Sequence, residues 1–195
     1  DLSSNGHTIT ATGDVHHEDD QHHEMHGTAI YFDGTGDYLQ LPTSSDWAMG
    51  TGDFTIECWF RQDASPSGKQ AIFDTRVSGR DTTTGFSFGI HNNGSFYIYN
   101  NGDIPVTSSG FVSADTWHYA AVVRKSGLFV LYLDGVQKQS TTPTERDFTD
   151  TEAKIGRRND TDAELFKGYL DELRVSKGIA RYTGNTNTVQ YFTPP

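Results

Sequence analysis

Apolar residues recur at every second position in short runs along this chain, and turns rich in Gly, Asn and Asp separate the runs. Phe54-Thr55-Ile56-Glu57-Cys58-Trp59-Phe60 shows the pattern most clearly. Phe54, Ile56, Cys58 and Phe60 fall on one side, and Thr55, Glu57, Trp59 and Arg61 on the other. That period of two belongs to a strand with one buried face. Further strands are expected over residues 28–32, 38–41, 70–76, 85–91, 95–100, 117–125, 128–133, 136–139, 153–156 and 168–175. Asn92-Asn93-Gly94 and Ser126-Gly127 read as hairpin turns. Phe96 and Ile98 are expected on one face of their strand, with Tyr97 and Tyr99 on the other. No run has the period or length of an ordinary helix, and Thr161 to Phe166 has room for one helical turn at most. Many short strands between turns predict an all-β fold, a sandwich or a barrel.

The chain has 195 residues, enough for one domain with a full core. Its hydrophobic content of 34% is low, but twelve Phe, nine Tyr and three Trp supply large buried areas. Residues 1–27 read as an extended polar lead-in to the same domain, 28–183 as the sandwich and 184–195 as a C-terminal tail. The net charge of −11 repels phosphate backbones and anionic bilayers, so no nucleic-acid partner and no membrane insertion are expected. No apolar stretch is long enough to span a membrane, and no secretory h-region is visible. The single cysteine, Cys58, has no disulfide partner within the chain and reads as a small buried hydrophobe.

Five segments, in order, carry a likeness to a known family: Phe32-Asp33-Gly34, Asp53 to Phe60, Thr116-Trp117-His118-Tyr119-Ala120-Ala121-Val122, Tyr132-Leu133-Asp134-Gly135 and Tyr169 to Val175. Together they resemble the laminin-G-like, concanavalin A-like lectin/glucanase superfamily. The resemblance covers roughly residues 28–183 and implies a two-sheet antiparallel jelly-roll β-sandwich. Asn5-Gly6-His7-Thr8-Ile9-Thr10, Gly34-Thr35-Gly36-Asp37-Tyr38 and the stretch Val175 to Thr183 resemble the form found in tailed-phage structural proteins and bacterial surface proteins.

In many sandwiches of this superfamily a structural Ca²⁺ joins the closing strand to an early loop. The resemblance therefore implies a site formed by Asp33, Gly34, Asp37 and Asp171. The same residues also read as turn formers and an ion-pair partner. A His-rich stretch, His16 to His26, offers metal-ligand side chains without tight ligand spacing, and reads equally as a solvated connector. For a glycan, aromatic platforms beside carboxylates, amides and Arg are the expected chemistry. Trp59, Arg61, Asp74, Arg76, Tyr97 and Tyr99 are the candidate ligand-binding residues, with Asn92, Asn93 and Asn100 nearby. One face carrying Trp59, Arg76, Tyr97 and Tyr99 is the expected groove; the competing reading buries these rings in the core.

Catalysis is not expected. Retaining glycosidases need two carboxyls on one face about 5–5.5 Å apart. No strand here shows such a pair, and Asp171 and Glu172, as strand neighbours, are expected on opposite faces. Cys58 lacks an evident activating partner, and the Ser and His residues form no nucleophile motif. The resemblance thus implies a non-catalytic carbohydrate-binding or adhesion module, extracellular on a virion or cell surface. A virion decoration protein acting through protein contacts, or as a homo-oligomer, is the alternative. A glycan-active enzyme is the third reading.

Overall fold

The computed structural model describes residues 3–23, 27–64, 68–78, 83–91, 93–100, 106–108, 112–142, 146–182 and 192–195. Fourteen strands are found among them: β1 Thr10–Thr12, β2 His16–Glu18, β3 Ala29–Asp33, β4 Tyr38–Gln40, β5 Phe54–Gln62, β6 Lys69–Asp74, β7 Ser87–His91, β8 Phe96–Tyr99, β9 Val106–Ser108, β10 Trp117–Lys125, β11 Leu128–Leu133, β12 Val136–Thr141, β13 Lys154–Ile155 and β14 Lys167–Lys177. One 3-10 turn, Ser45–Trp47, is the sole helical element among the described residues. The strands form two sheets in which every pair is antiparallel. The first runs β1-β4-β13-β6-β7-β8-β9 and the second β12-β11-β10-β5-β14-β3-β2. This is the two-sheet sandwich that the alternation and the family likeness predict.

The alternation decides what lies between the sheets. Phe54, Ile56, Cys58 and Phe60 of β5 are fully buried against Phe88 and Ile90 of β7 and Phe96 and Ile98 of β8. Phe54 stacks on Phe86 with centroids 5.7 Å apart, and Phe86 meets Phe148 at 4.8 Å. Burying one such ring contributes about 1.5–3 kcal/mol, so the aromatic content offsets the scarcity of aliphatics. Burial pushes the Cys58 thiol above its ordinary range, with a smaller contribution from the Glu57 charge, which keeps it protonated and inert.

Several elements depart from expectation. Residues 28–32 and 38–41 are strands, as expected, but β3 joins the second sheet and β4 the first, so the Gly34 turn crosses between sheets. The lead-in supplies an edge strand to each sheet: β1 pairs with β4 and β2 with β3. Their polar side chains carry no alternation because neither strand has a face in the core. β9 lies in the 101–115 segment, where no strand was expected, and pairs with β8. Asn92 of the β7–β8 turn lies outside the described residues, as do Glu24, Met25 and His26.

Candidate ligand-binding site

The six candidate residues separate onto the outer faces of two different sheets. Asp74 ends β6 and Arg76 follows it, and Tyr97 and Tyr99 belong to β8, so that both strands concerned are in the first sheet. Trp59 and Arg61 belong to β5 in the second. A single groove bearing Trp59, Arg76, Tyr97 and Tyr99 is therefore corrected: the apolar core lies between them. Sequence periodicity says which residues share a strand face, but not which strands share a sheet.

On the first sheet the four residues do meet, and they satisfy one another. Asp74 is fully buried. Its Oδ2 accepts from Arg76 Nε at 2.9 Å, and Arg76 Nη2 reaches both Asp74 and, at 2.7 Å, Glu164 Oε2. Burial opposes the Arg76 charge, but Asp74 and Glu164 outweigh it and raise its pKa. Tyr97 is buried and donates to the Gln70 carbonyl at 3.4 Å. The Tyr99 ring is taken by Lys69 Nζ, 3.9 Å from its centroid. Asn100 donates to the carbonyls of Thr83 and Gly85. This is an internally closed polar cluster rather than a ligand platform.

The second sheet presents something different. Cross-strand register places His16 opposite Tyr31, Tyr31 opposite Tyr169, Tyr169 opposite Arg61, and Arg61 opposite Trp117. Five neighbouring strands thus contribute one residue each to a single row. The side chains touch along it: His16 to Tyr31 at 5.5 Å, Tyr31 to Tyr169 at 4.9 Å, and the Arg61 guanidinium 5.3 Å from the Tyr169 centroid. Trp117 closes the row 6.4 Å from Tyr169. Tyr31, Tyr169, Arg61 and Trp117 are half-buried, so each keeps part of its surface open to solvent. Arg61 faces Asp63 at 3.6 Å and Asp115 at 3.4 Å. Those distances exceed a normal hydrogen bond, which leaves guanidinium N–H groups able to reach another acceptor.

Trp59 stands beside this row, with one face stacked on His23 at 3.5 Å and its edge against Tyr119 at 5.1 Å. Its Nε1 donates to the Pro195 carbonyl at 3.2 Å. Next to it Glu57, fully buried, accepts from Arg174 Nε at 2.6 Å, with Arg181 Nε at 3.3 Å. A bulge in β14 between Asp171 and Arg174 breaks strict alternation there. Asp171 and Glu172 consequently both line one cavity of about 830 Å³, with Arg174, Arg181 and Tyr119. Glu172 adopts φ +51° at the bulge, so the strict alternation on which their expected opposite facing rests does not hold across these two residues.

The residues proposed for Ca²⁺ do not converge. Asp37 is fully buried, and both its oxygens accept backbone N–H groups: Oδ1 from Asp14 at 2.6 Å and Oδ2 from Asp33 at 2.8 Å. Asp33 Oδ1 accepts from Thr35 N at 2.5 Å. Lys167 pairs with Asp33, so Asp171, four residues further along β14, lies about 13 Å away at ~3.3 Å per residue. The Lys167 side chain also lies over Gly34, 2.9 Å from where a Cβ would stand. These residues do not fit a shared cation; the acidic turn staples the β1–β2 connection to the β3–β4 connection. Among the described residues no group of three or more His, Cys, Asp or Glu side chains is placed to hold a metal. In the His-rich stretch, His22 Nδ1 meets the His23 carbonyl at 3.0 Å.

Sequence reasoning also missed a series at the start of β10. His118 Nδ1 meets Asp134 Oδ2 at 2.8 Å, and its Nε2 meets Ser113 Oγ at 3.0 Å. The order of partners is that of a hydrolase relay. However, Nε2 already accepts the Ser113 backbone N–H at 3.2 Å, the position that a nucleophile's proton would have to take. Asp134 Oδ1 accepts from Tyr119 N at 2.9 Å. The set therefore clamps the β11–β12 turn to the start of β10.

Solved structures share this architecture. Domain 4 of AbnA, an extracellular arabinanase of family GH43 from Geobacillus stearothermophilus in complex with arabinotriose, superposes with a TM-score of 0.64 at 19% identity over 91% of this chain and 86% of that one. The CBM40 of the Ruminococcus gnavus IT-sialidase, bound to α2,3-sialyllactose, gives 0.56 at 14% identity over 66% and 77%. A botulinum neurotoxin type C structure, described in terms of cell entry through two ganglioside molecules, gives 0.65 at 14% over 91% and 44%. These likenesses are of fold. No curated protein matches the sequence. The model of the concanavalin A-like lectin/glucanases superfamily matches residues 33–180, well over half the chain, and the protein belongs to that superfamily.

Proposed function

We propose that this protein is a carbohydrate-binding module whose platform is the outer face of the second sheet. The row Tyr31, Tyr169, Arg61 and Trp117 carries the reading: half-buried rings in register across neighbouring strands, with a guanidinium among them. Sugar rings present apolar C–H faces and hydroxyl edges, so flat aromatic faces beside N–H donors and carboxylates complement both. The row stands on strands, which hold its spacing without prior ordering of a loop. Neighbours of the same fold, solved with arabinotriose and with sialyllactose, support the reading. A non-catalytic role and an extracellular setting, on a virion or a cell surface, belong to the same proposal. They draw on the acidic charge and the resemblance to phage and bacterial surface proteins.

The test is affinity electrophoresis through gels cast with plant, algal and bacterial polysaccharides. At least one polysaccharide is expected to retard the protein. Tyr169→Ala and Trp117→Ala are each expected to weaken that retardation about tenfold or more, equivalent to ~1.4 kcal/mol. Tyr99→Ala, on the opposite sheet, should leave it unchanged. Full mobility of the folded protein in every gel would count against a glycan ligand.

A further inference from the structure

The row on the second sheet has a direction and a charge, and both narrow the ligand. From these we infer that the site takes a linear, uncharged oligosaccharide laid across the strands, and rejects glycans bearing carboxylates. This rests on the carbohydrate-binding reading above.

The direction comes from register. His16, Tyr31, Tyr169, Arg61 and Trp117 belong to five adjacent strands, β2-β3-β14-β5-β10. At ~4.8 Å between strands the row is about 19 Å long. A single sugar occupies a fraction of that length. A chain laid along the row meets successive rings, whereas a chain laid along a strand meets one ring and then leaves the row.

The charge comes from the neighbours. Arg61 is flanked by Asp63 and Asp115. The charges of Asp63, Asp33 and Asp37 act on Tyr31, and those of Asp63, Glu18 and Asp115 on Tyr169, where Arg61 is the opposing cation. Burial, and then Asp63 foremost among the charges, raises the pKa of both phenols. Five carboxylates thus act on the two central rings, opposed at Tyr169 by Arg61, the next residue of the row, with Lys167 paired across from Asp33. His16, at the end of the row, sits by Glu18 at 3.4 Å. A ligand carboxylate brought to Arg61 meets that field and displaces neither aspartate without cost. Sugar hydroxyls, by contrast, donate to the aspartates and accept from the guanidinium at once.

The test measures binding by calorimetry at about pH 7.5, where the carboxylates are ionised, to linear xylo-, arabino- and N-acetylglucosamine oligosaccharides of two to six units. Oligogalacturonides and sialyllactoses serve as the acidic set. At least one neutral series should bind, with affinity rising beyond the disaccharide, and the acidic set should bind at least tenfold more weakly. Tyr169→Ala should abolish the length dependence. Asp63→Asn with Asp115→Asn should raise acidic-set affinity severalfold while keeping the melting temperature, which a purely structural pair of aspartates would not do. An acidic glycan bound more tightly than any neutral one would overturn the inference and leave the carbohydrate reading standing. Neutral binding that ignores the Tyr169 substitution and persists through another face would overturn the inference together with the proposed platform, and leave only a carbohydrate ligand. No binding by any glycan, neutral or acidic, to the folded protein would overturn both.

Discussion

At the residue scale two aspartates hold turns by accepting backbone N–H groups. Asp37 holds two turns together through both oxygens, and Asp134 receives His118 on one oxygen and the Tyr119 N–H on the other. Burial alone would raise the Asp134 pKa, but the His118 and Tyr119 hydrogen bonds outweigh it and lower it. A carboxylate with a lowered folded pKa contributes stability that is present above its unfolded value, near ~3.9. That stability is lost as pH falls through the folded value. Urea midpoints followed through the acid range should fall below about pH 4, an estimate set by that unfolded value. Asp134→Asn should be less stable near neutrality and show a shallower acid limb; superimposable limbs would remove Asp134 from the account. Glu57 and Arg174 show what a sequence does not display. The polar side of β5 was legible from alternation, but the burial of Glu57 required knowing that the chain end returns over that face.

At the scale of the element, β14 decides the geometry of the site. It lies between β3 and β5 in the second sheet and contributes Tyr169 to the row. Gly168, next to it, adopts φ +133°, and a Cβ there would stand 2.1 Å from the Arg61 carbonyl oxygen. Gly168→Ala is therefore expected to cost about 1–3 kcal/mol in backbone strain alone, plus the displacement of β5. Its thermal melting should fall while the separate β7–β8 hairpin keeps its amide protection. A melting temperature equal to the parent's would refute the close approach. β5 and β11 were readable because one side of each is apolar over three or more alternate positions, and β10 because its run Tyr119 to Val123 is apolar throughout. β1, β2 and β9 were not, since edge strands of three residues need only backbone pairing and leave no periodic trace. The β14 bulge was equally silent, because Leu170-Asp171-Glu172-Leu173 reads as ordinary sequence until its partner fixes the register.

At the scale of the whole molecule, the chain end covers part of the second sheet and leaves the rest open. Phe192 stacks on Tyr182 at 3.6 Å and meets Tyr132 at 5.2 Å and Tyr119 at 5.9 Å. These rings form a second, smaller apolar cluster outside the main core, with Ala121, Val123 and Val130. Phe192→Ala should cost about 2 kcal/mol through the lost ring pairs, lowering the melting temperature by roughly 4–8 °C for a domain of this size. Tryptophan emission should shift as the cover over Trp59 loosens. No change in either signal would mean the tail does not hold the sheet. The residue types and their period of two determined the strands, the core-facing side chains and the superfamily, because burial of one strand face is a local pattern written in consecutive positions. Which strands share a sheet, and hence that Trp59 and Arg61 part from Tyr97 and Tyr99, was decided by the tertiary structure alone. So was the alignment of Tyr31, Tyr169, Arg61 and Trp117 in one row, because pairing between strands far apart in the chain depends on register and topology, which no single strand encodes.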